Sequence, residues 1–346
     1  MASITDVCGE KKEKKPERDG GSVSCTRKTS KPSKMFKILE TQGLIVGKTL
    51  GSGSYATVKS AYDMNRKHKV AIKIINKKKA QDEYLTKFLP REVEAMQTFG
   101  KHYAMIHFYQ IIETTSWHFF IMELCDSGDL LTEIKNRGYI EEDQAGQWFI
   151  HLYDGTKYMH SKGIVHRDIK CENLVLTKQN TLKITDFGFA KKITKTKSGT
   201  TVLSETYCGS YAYAPPEILK GTPYNAELAD VWSMGVVLYT MLYGSLPFDD
   251  CDHKKLLKQV QSRIVFPAKP EVSKCCRILI VKILSRVTER VPLKHLKADG
   301  WFKTQLNVKT FIKNAKNVKE EEKEGELTQV KYMEEDADKD AETNKT

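Results

Sequence analysis

Three polar strings stand out for what their residue types and spacing would do. His166-Arg-Asp168-Ile-Lys170-Cys-Glu-Asn173 and, downstream, Asp186-Phe-Gly188 place two carboxylates and an amide at fixed offsets, each beside a β-like apolar run (Leu174 to Thr177, Thr181 to Thr185). Such oxygen donors suit hard Mg²⁺ ions that already carry ATP phosphates, and a positioned carboxylate can orient a hydroxyl and take its proton. Upstream, Gly51-Ser-Gly-Ser-Tyr-Ala-Thr-Val58 sits between two strand-like runs, and glycines there let backbone N–H groups approach phosphates closely. By itself this string reads equally as a plain Gly-Ser hairpin. Fifteen residues past Val58, Lys73 ends the apolar run Val70-Ala-Ile-Lys73. It reads either as an ordinary strand-end lysine or as a phosphate ligand steadied by a helix carboxylate. Glu92, in Leu89-Pro-Arg-Glu92, supplies a suitable carboxylate, and Pro90 fits the first turn of its helix. Surface turns rich in Asp, Lys and Asn are common; the complete set in this order and spacing is not.

Elements able to position these groups follow from periodicity. Leu44 to Leu50, Thr57 to Tyr62 and Lys69 to Ile75 are short β-rich runs separated by turn residues. A helical stretch over Glu92 to Phe99 precedes two further strand-like runs, Phe108 to Glu113 and Trp117 to Leu124. After Gly128 the period becomes helical, over Asp129 to Asn136 and then Glu142 to His160, where Ala145, Trp148, Phe149, Leu152 and Met159 share one side. The chain stays mostly helical to Phe302. This pattern predicts an α+β architecture of two lobes, a small β-rich one joined to a larger α-rich one. Residues 1–42 and 303–346 are polar and charged; residues 319–346 hold 11 acidic against 5 basic groups, net −6. Both read as largely disordered, a basic N-terminal extension and an acidic C-terminal tail, because neither can bury enough apolar surface to offset ordering entropy.

Composition excludes several classes. The net charge of +12 raises nucleic acid or an acidic membrane as partner, yet neither a recognition helix nor an aromatic stacking platform is present. The apolar stretch Val231 to Tyr243 is too short to span a bilayer and reads as a buried helix. With Ala2 in place of glycine and a Thr-Asn-Lys-Thr ending, lipidation signals are not expected. None of the eight cysteines forms a C-x-x-C pair, so no zinc or disulfide framework is expected, and the thiols suit a reducing compartment.

Together the strings resemble the eukaryotic protein kinases over Leu44 to Phe302. Lys77-Lys-Lys-Ala80 leading to Lys87-Phe-Leu-Pro-Arg-Glu92, Thr206-Tyr-Cys-Gly-Ser210, Leu246-Pro-Phe-Asp-Asp250 and Val265-Phe-Pro267 are similar to the testis-specific serine/threonine kinases, a group of the calcium/calmodulin-kinase-like branch. The resemblance implies a bilobal kinase fold with ATP in the cleft and phosphorylation of protein Ser/Thr in spermatid differentiation. It implies that Gly51, Ser52 and Gly53 cover the phosphates and that Lys73 holds the α- and β-phosphates while paired with Glu92. Val58, Ala71 and Val175 would enclose adenine, Glu123 and Cys125 would read its edge, Met122 would be the gatekeeper, and Asp129 would reach the ribose or a basic substrate residue. Asp168 would orient the substrate hydroxyl and accept its proton. Lys170 would neutralise charge on the transferred group, and Asn173 and Asp186 would bind Mg²⁺, with Mn²⁺ as an alternative. Thr206 resembles the activating phosphorylation site, its phosphate received by Arg167 and Lys191. Ser210 would lie beside Asp168, and Glu217 would pair with Arg290.

Three positions depart from the family pattern: Ala56 replaces a glycine, Pro215-Pro-Glu217 replaces Ala-Pro-Glu, and Thr240 stands where some kinases selecting basic substrates carry a carboxylate. A catalytically dead scaffold would lack one of Lys73, Asp168, Asn173 or Asp186, and all four are present. Expected partners are protein substrates and an upstream activating kinase, not nucleic acid or membrane; the expected location is the cytoplasm, with nucleus and sperm flagellum as further sites. Both tails are expected to be dispensable: residues 40–310 alone should fold and bind ATP, and limited proteolysis should trim the two ends first.

Overall fold

A computed structural model of the chain describes residues 34–52, 56–196 and 201–307. Five antiparallel strands, β1 (Leu44–Ser52), β2 (Ala56–Asp63), β3 (His68–Asn76), β4 (Phe108–Glu113) and β5 (Trp117–Glu123), form one sheet in the order β1-β2-β3-β5-β4. β3 is its spine. Paired on both sides, it buries Val70, Ala71, Ile72, Ile74 and Ile75, and only Lys73 interrupts the apolar run. The register sets Lys73 opposite Val58 on β2 and Phe120 on β5.

Helix α1 (Lys34–Thr41) packs on the outer face of this sheet, and helix α2 (Leu89–Thr98) follows β3. As expected, Pro90 lies in the first turn of α2. Between β3 and α2 the backbone forms a π-helical turn, Tyr84–Phe88, which the sequence reading did not anticipate. The larger lobe is helical: α3 (Leu130–Arg137), α4 (Glu142–Ser161), α5 (Pro216–Leu219), α6 (Ala226–Tyr243), α7 (His253–Gln259), α8 (Lys274–Ile283), α9 (Leu293–Leu296) and a last helix over residues 300–307. Two small ribbons sit at its top, β6 (Ile164–Val165) with β9 (Lys191–Lys192) and β7 (Leu174–Leu176) with β8 (Leu182–Ile184). α6 contains the stretch read as a buried helix. Trp232, Met234, Val236, Val237 and Leu238 are fully enclosed, as a helix apolar on every side requires. No helix among the described residues is long and apolar enough to cross a membrane.

Two expected boundaries are corrected. The chain is not disordered up to residue 42, because α1 inserts Leu39, 0% exposed, into a small core with Leu44, Val70, Ile72, Phe119 and Ile121. One amphipathic turn in a charged stretch gives too weak a periodic signal to outweigh its composition. At the other end, the fold continues past residue 302 to 307, with Gln305 buried against Gly146 of α4. The remainder of both tails, residues 1–33 and 308–346, lies outside the described residues.

A chain starting at residue 40 loses the Leu39 contact. Leu39→Ala is expected to destabilise the small lobe by about 2–4 kcal/mol, as large-to-small core changes do. Urea unfolding of the variant beside wild type measures the difference; an unchanged midpoint would mean that α1 contributes nothing to stability.

Candidate active site

The site forms where the sheet faces the ribbons of the larger lobe. A cleft of about 310 Å³ is lined by Leu50, Gly51, Val58, Ala71, Lys73, Glu92, Met122, Glu123, Cys125, Asp129, Asn173, Val175 and Asp186, among others. Nearly every residue assigned to nucleotide binding is thereby gathered into one cavity. Val58 on β2, Ala71 on β3 and Val175 on β7 supply apolar walls. Glu123 donates its backbone N–H to the His107 carbonyl (2.8 Å), which leaves its own carbonyl as the polar group it can offer the cleft. A Cβ added at Gly51 would meet nothing within 4 Å, so the space above the cleft mouth is open. Ser52 Oγ lies 3.4 Å from Thr57 Oγ1 across the hairpin. Gly53 lies outside the described residues.

The ammonium of Lys73 is the electrostatic centre. Its Nζ lies 2.6 Å from Glu92 Oε1 and 2.9 Å from Asp186 Oδ1. Glu92 is 0% exposed, and a buried carboxylate is tolerated only when paired and hydrogen-bonded. Burial pushes the Lys73 ammonium down, but Asp186 and Glu92 outweigh it and hold the group well above the ordinary lysine range. The same Lys73 charge holds the Asp186 carboxyl down at about 2, so it stays ionised. Asp186 is itself a left-handed residue (φ +64°), and Phe187 behind it is buried against Phe99, just past α2, and His166.

Below this centre, Asp168 receives four hydrogen bonds or ion pairs. Asn173 Nδ2 donates to its Oδ2 (3.0 Å), Lys170 Nζ lies 2.9 Å from the same oxygen, and the backbone N–H and hydroxyl of Ser210 approach Oδ1 at 3.0 and 3.2 Å. Lys170 Nζ also donates to Ser210 Oγ (2.9 Å), so carboxylate, ammonium and hydroxyl form a closed triangle. Ser210 can come this close because Gly209 precedes it. With φ +94°, Gly209 lies where a Cβ would sit 2.5 Å from the Arg167 carbonyl, a conformation and an approach open to glycine alone. With Asn173 Nδ2 committed to Asp168, its amide oxygen is the atom left to a cation. That oxygen and the ionised Asp186 form a hard-donor pair suited to Mg²⁺. Elsewhere among the described residues, the one other group close enough to hold a metal is Asp249, Asp250 and Cys251, on an exposed loop.

Asp230 of α6 organises this loop, a role the sequence reading missed. Fully buried, it accepts the backbone N–H groups of His166 (2.9 Å) and Arg167 (2.8 Å), and His160 Nε2 lies 2.9 Å from it. Burial raises the Asp230 carboxyl, yet the bonds from His160 and His166 prevail and keep it below the usual range. These contacts hold Arg167 at φ +66°, a conformation costly for a non-glycine residue. A charge in the first turns of an otherwise apolar helix was the available signal.

The support residues divide. Glu217 and Arg290 meet as expected, in a two-pronged pair of 2.6 and 3.0 Å that is buried on both sides. Asp129 lines the cleft and also caps α3: both its oxygens accept from Thr132, the backbone N–H at 2.8 Å and the hydroxyl at 2.9 Å. Arg167 and Lys191, expected to receive a phosphate on Thr206, make other contacts in the unmodified chain. Lys191 Nζ contacts Ser204 Oγ (3.4 Å), Arg167 Nε donates to the Phe189 carbonyl (2.8 Å), and Thr206 offers its carbonyl to the Tyr224 hydroxyl (2.9 Å). Both Nη atoms of Arg167 and Nη1 of Arg91 are buried without a hydrogen-bond partner among the described residues. Burial lowers the Lys191 ammonium, and repulsion from Arg167 and Arg91 lowers it further. Three cations thus crowd one spot. Arg91, on α2 beside Glu92, had not been singled out, because on a charged helix one arginine carries no positional signal.

Comparison with known proteins agrees with this geometry. A family model described as protein kinase domain matches residues 44–302. Human testis-specific serine/threonine-protein kinase 4 is 46% identical over 275 residues, covering 76% of this chain and 84% of that protein. Mouse testis-specific serine/threonine-protein kinase 2 is 45% identical over 267 residues, 76% of this chain and 74% of that one. The mouse kinase 3 of the same series is 42% identical over 251 residues, 72% and 92% respectively. With that match spanning the whole two-lobed region and the Lys73, Asp168 and Asp186 constellation intact within it, this chain belongs to the protein kinase family, among its testis-specific serine/threonine kinases.

Proposed function

We propose that this kinase transfers the γ-phosphoryl group of MgATP to serine and threonine hydroxyls of proteins during spermatid differentiation, and that phosphate on Thr206 switches it on. The observation that carries the catalytic part is the Lys73 ammonium held between Glu92 and Asp186 at the wall of the cleft, where it would meet ATP phosphates. Val58, Ala71 and Val175 enclose adenine under the Met122 side chain, and the backbone of Glu123 and Cys125 reads its edge. Asn173 and Asp186 would hold Mg²⁺, which would supply charge neutralisation to the ATP phosphates. Asp168 orients the substrate hydroxyl and accepts its proton, while Lys170, pinned to both Asp168 and Ser210, brings positive charge to the phosphoryl oxygens. The tissue assignment rests on the relatives, whose names call them testis-specific. Cytoplasmic placement, with nucleus and flagellum as further sites, belongs to the same proposal and is open to imaging of the tagged protein in spermatids.

Support for the switch comes from the crowded cations. Arg91, Arg167 and Lys191 repel one another with guanidinium atoms unpaired, and a phosphate of nearly two negative charges would satisfy them together. Because Arg91 lies on α2, such a bridge would fix that helix, the catalytic loop and the activation segment at once. Thr206 is the partly exposed hydroxyl of this segment, whereas Ser204 is buried. An upstream kinase or the enzyme itself supplies the phosphate.

Lys73→Met and Asp168→Asn are each expected to abolish turnover of a generic basic protein without unfolding the chain; normal turnover by either purified variant would remove the assignment. Activity is expected to vanish in excess EDTA and return with Mg²⁺, so undiminished activity under chelation contradicts the metal assignment. Thr206→Ala is expected to lower turnover by about an order of magnitude or more with little change in ATP affinity. Arg167→Ala should match that loss without adding to it, since both remove one contact. Mass spectrometry of the phosphorylated segment accompanies the kinetics. A fully active Thr206→Ala beside an inactive Ser204→Ala would move the switch to Ser204.

A further inference from the structure

Tyr84 opens the π-helical turn that leads into α2. The wider turn is closed by the Leu89 backbone N–H donating to the Tyr84 carbonyl, five residues back, and such turns concentrate at functional sites. Here the turn has a visible consequence. The Tyr84 ring is buried, and its hydroxyl donates to Glu92 Oε2 at 3.1 Å, on the oxygen that Lys73 does not use. The two oxygens of Glu92 are thus divided, Oε1 to Lys73 and Oε2 to Tyr84, and no other hydrogen-bond donor reaches this carboxylate among the described residues. At the far end of the turn, Phe88 packs edge-on against Phe189 (5.3 Å), immediately after Asp-Phe-Gly.

We infer that Tyr84 is a positioning residue for phosphoryl transfer: its hydroxyl fixes the rotamer of Glu92 and thereby the place of the Lys73 ammonium against the ATP phosphates. The physical reason is that a carboxylate buried this deeply has no water to satisfy a second oxygen. Without the phenol, Glu92 either turns to seek another donor or gives up charge, and both loosen its hold on Lys73. With it, the carboxylate is locked from two sides, and the entry to α2 is tied to the nucleotide site. A tyrosine filling core space would present the same ring without requiring this bond.

The inference rests on the Lys73–Glu92 reading above, and the experiment separates the two. Tyr84→Phe keeps the ring and removes only the hydroxyl. In the full-length enzyme it is expected to raise KM for ATP about three- to tenfold while leaving the peptide KM unchanged and the melting temperature within about 2 °C. Calorimetric ATP affinity should fall in parallel, and the loss should disappear when Tyr84→Phe is placed in a Glu92→Ala background. An unchanged KM for ATP, a loss that tracks a lower melting temperature, or a loss retained in full on Glu92→Ala overturns the role of Tyr84. Wild-type ATP affinity and turnover in Glu92→Ala alone would instead overturn the Lys73–Glu92 reading itself.

Discussion

A buried lysine held between two carboxylates sets the terms for the rest of this structure. Lys73 interrupts the most enclosed strand of the sheet, and its charge is tolerated there because Glu92 arrives from α2 and Asp186 from the larger lobe. Each partner in turn depends on it. Glu92 is a fully buried carboxylate, and this ammonium is the main cause that holds the Asp186 carboxyl down at about 2. Removing one partner of a buried pair leaves the other uncompensated, a far larger penalty than the pair's own net worth. Three elements distant in sequence are therefore obliged to meet at one atom, and their meeting places the cleft.

The second layer of control is backbone geometry. Arg167 and Asp186 both adopt left-handed conformations unfavourable for their residue types, in the His166-Arg-Asp168 loop and at the Asp186-Phe-Gly188 turn. Asp230 holds the first by accepting two consecutive backbone N–H groups. Gly209 then lets the activation segment close onto the Arg167 carbonyl and deliver Ser210 to Asp168. The bidentate Glu217–Arg290 pair anchors the far end of that segment to the helical lobe. Upstream of both anchors, in the same segment, lie the hydroxyls of Ser204 and Thr206, beside cations that have not found an anion.

Positive charge is distributed unequally in its meaning. Lys73, Lys170 and Arg290 are each matched by a carboxylate within about 3 Å. Arg91, Arg167 and Lys191 are crowded without such a match, at a cost that persists only where another ligand or state repays it. The overall +12 of the chain conveys none of this distinction.

By itself, the sequence determined the two-lobed α+β class and all five sheet strands to within a residue or two, and through its resemblance to the kinases it singled out Lys73, Glu92, Asp168, Lys170, Asn173 and Asp186. Those were legible because strand and helix periods are local and because polar groups at fixed offsets from apolar runs are locally encoded. Tertiary structure alone decided what depends on distant elements. Leu39 is buried because a sheet face happens to await it, which composition could not indicate. Asp129 also caps α3 from the cleft wall, since Thr132 lies within reach once the helix forms. Lys191 faces Ser204 rather than Thr206 because the segment folds back onto Tyr224. Asp230, Arg91 and Tyr84 acquire their importance from partners up to tens of residues away, and hydrogen-bond geometry of that kind exists only after the chain has packed.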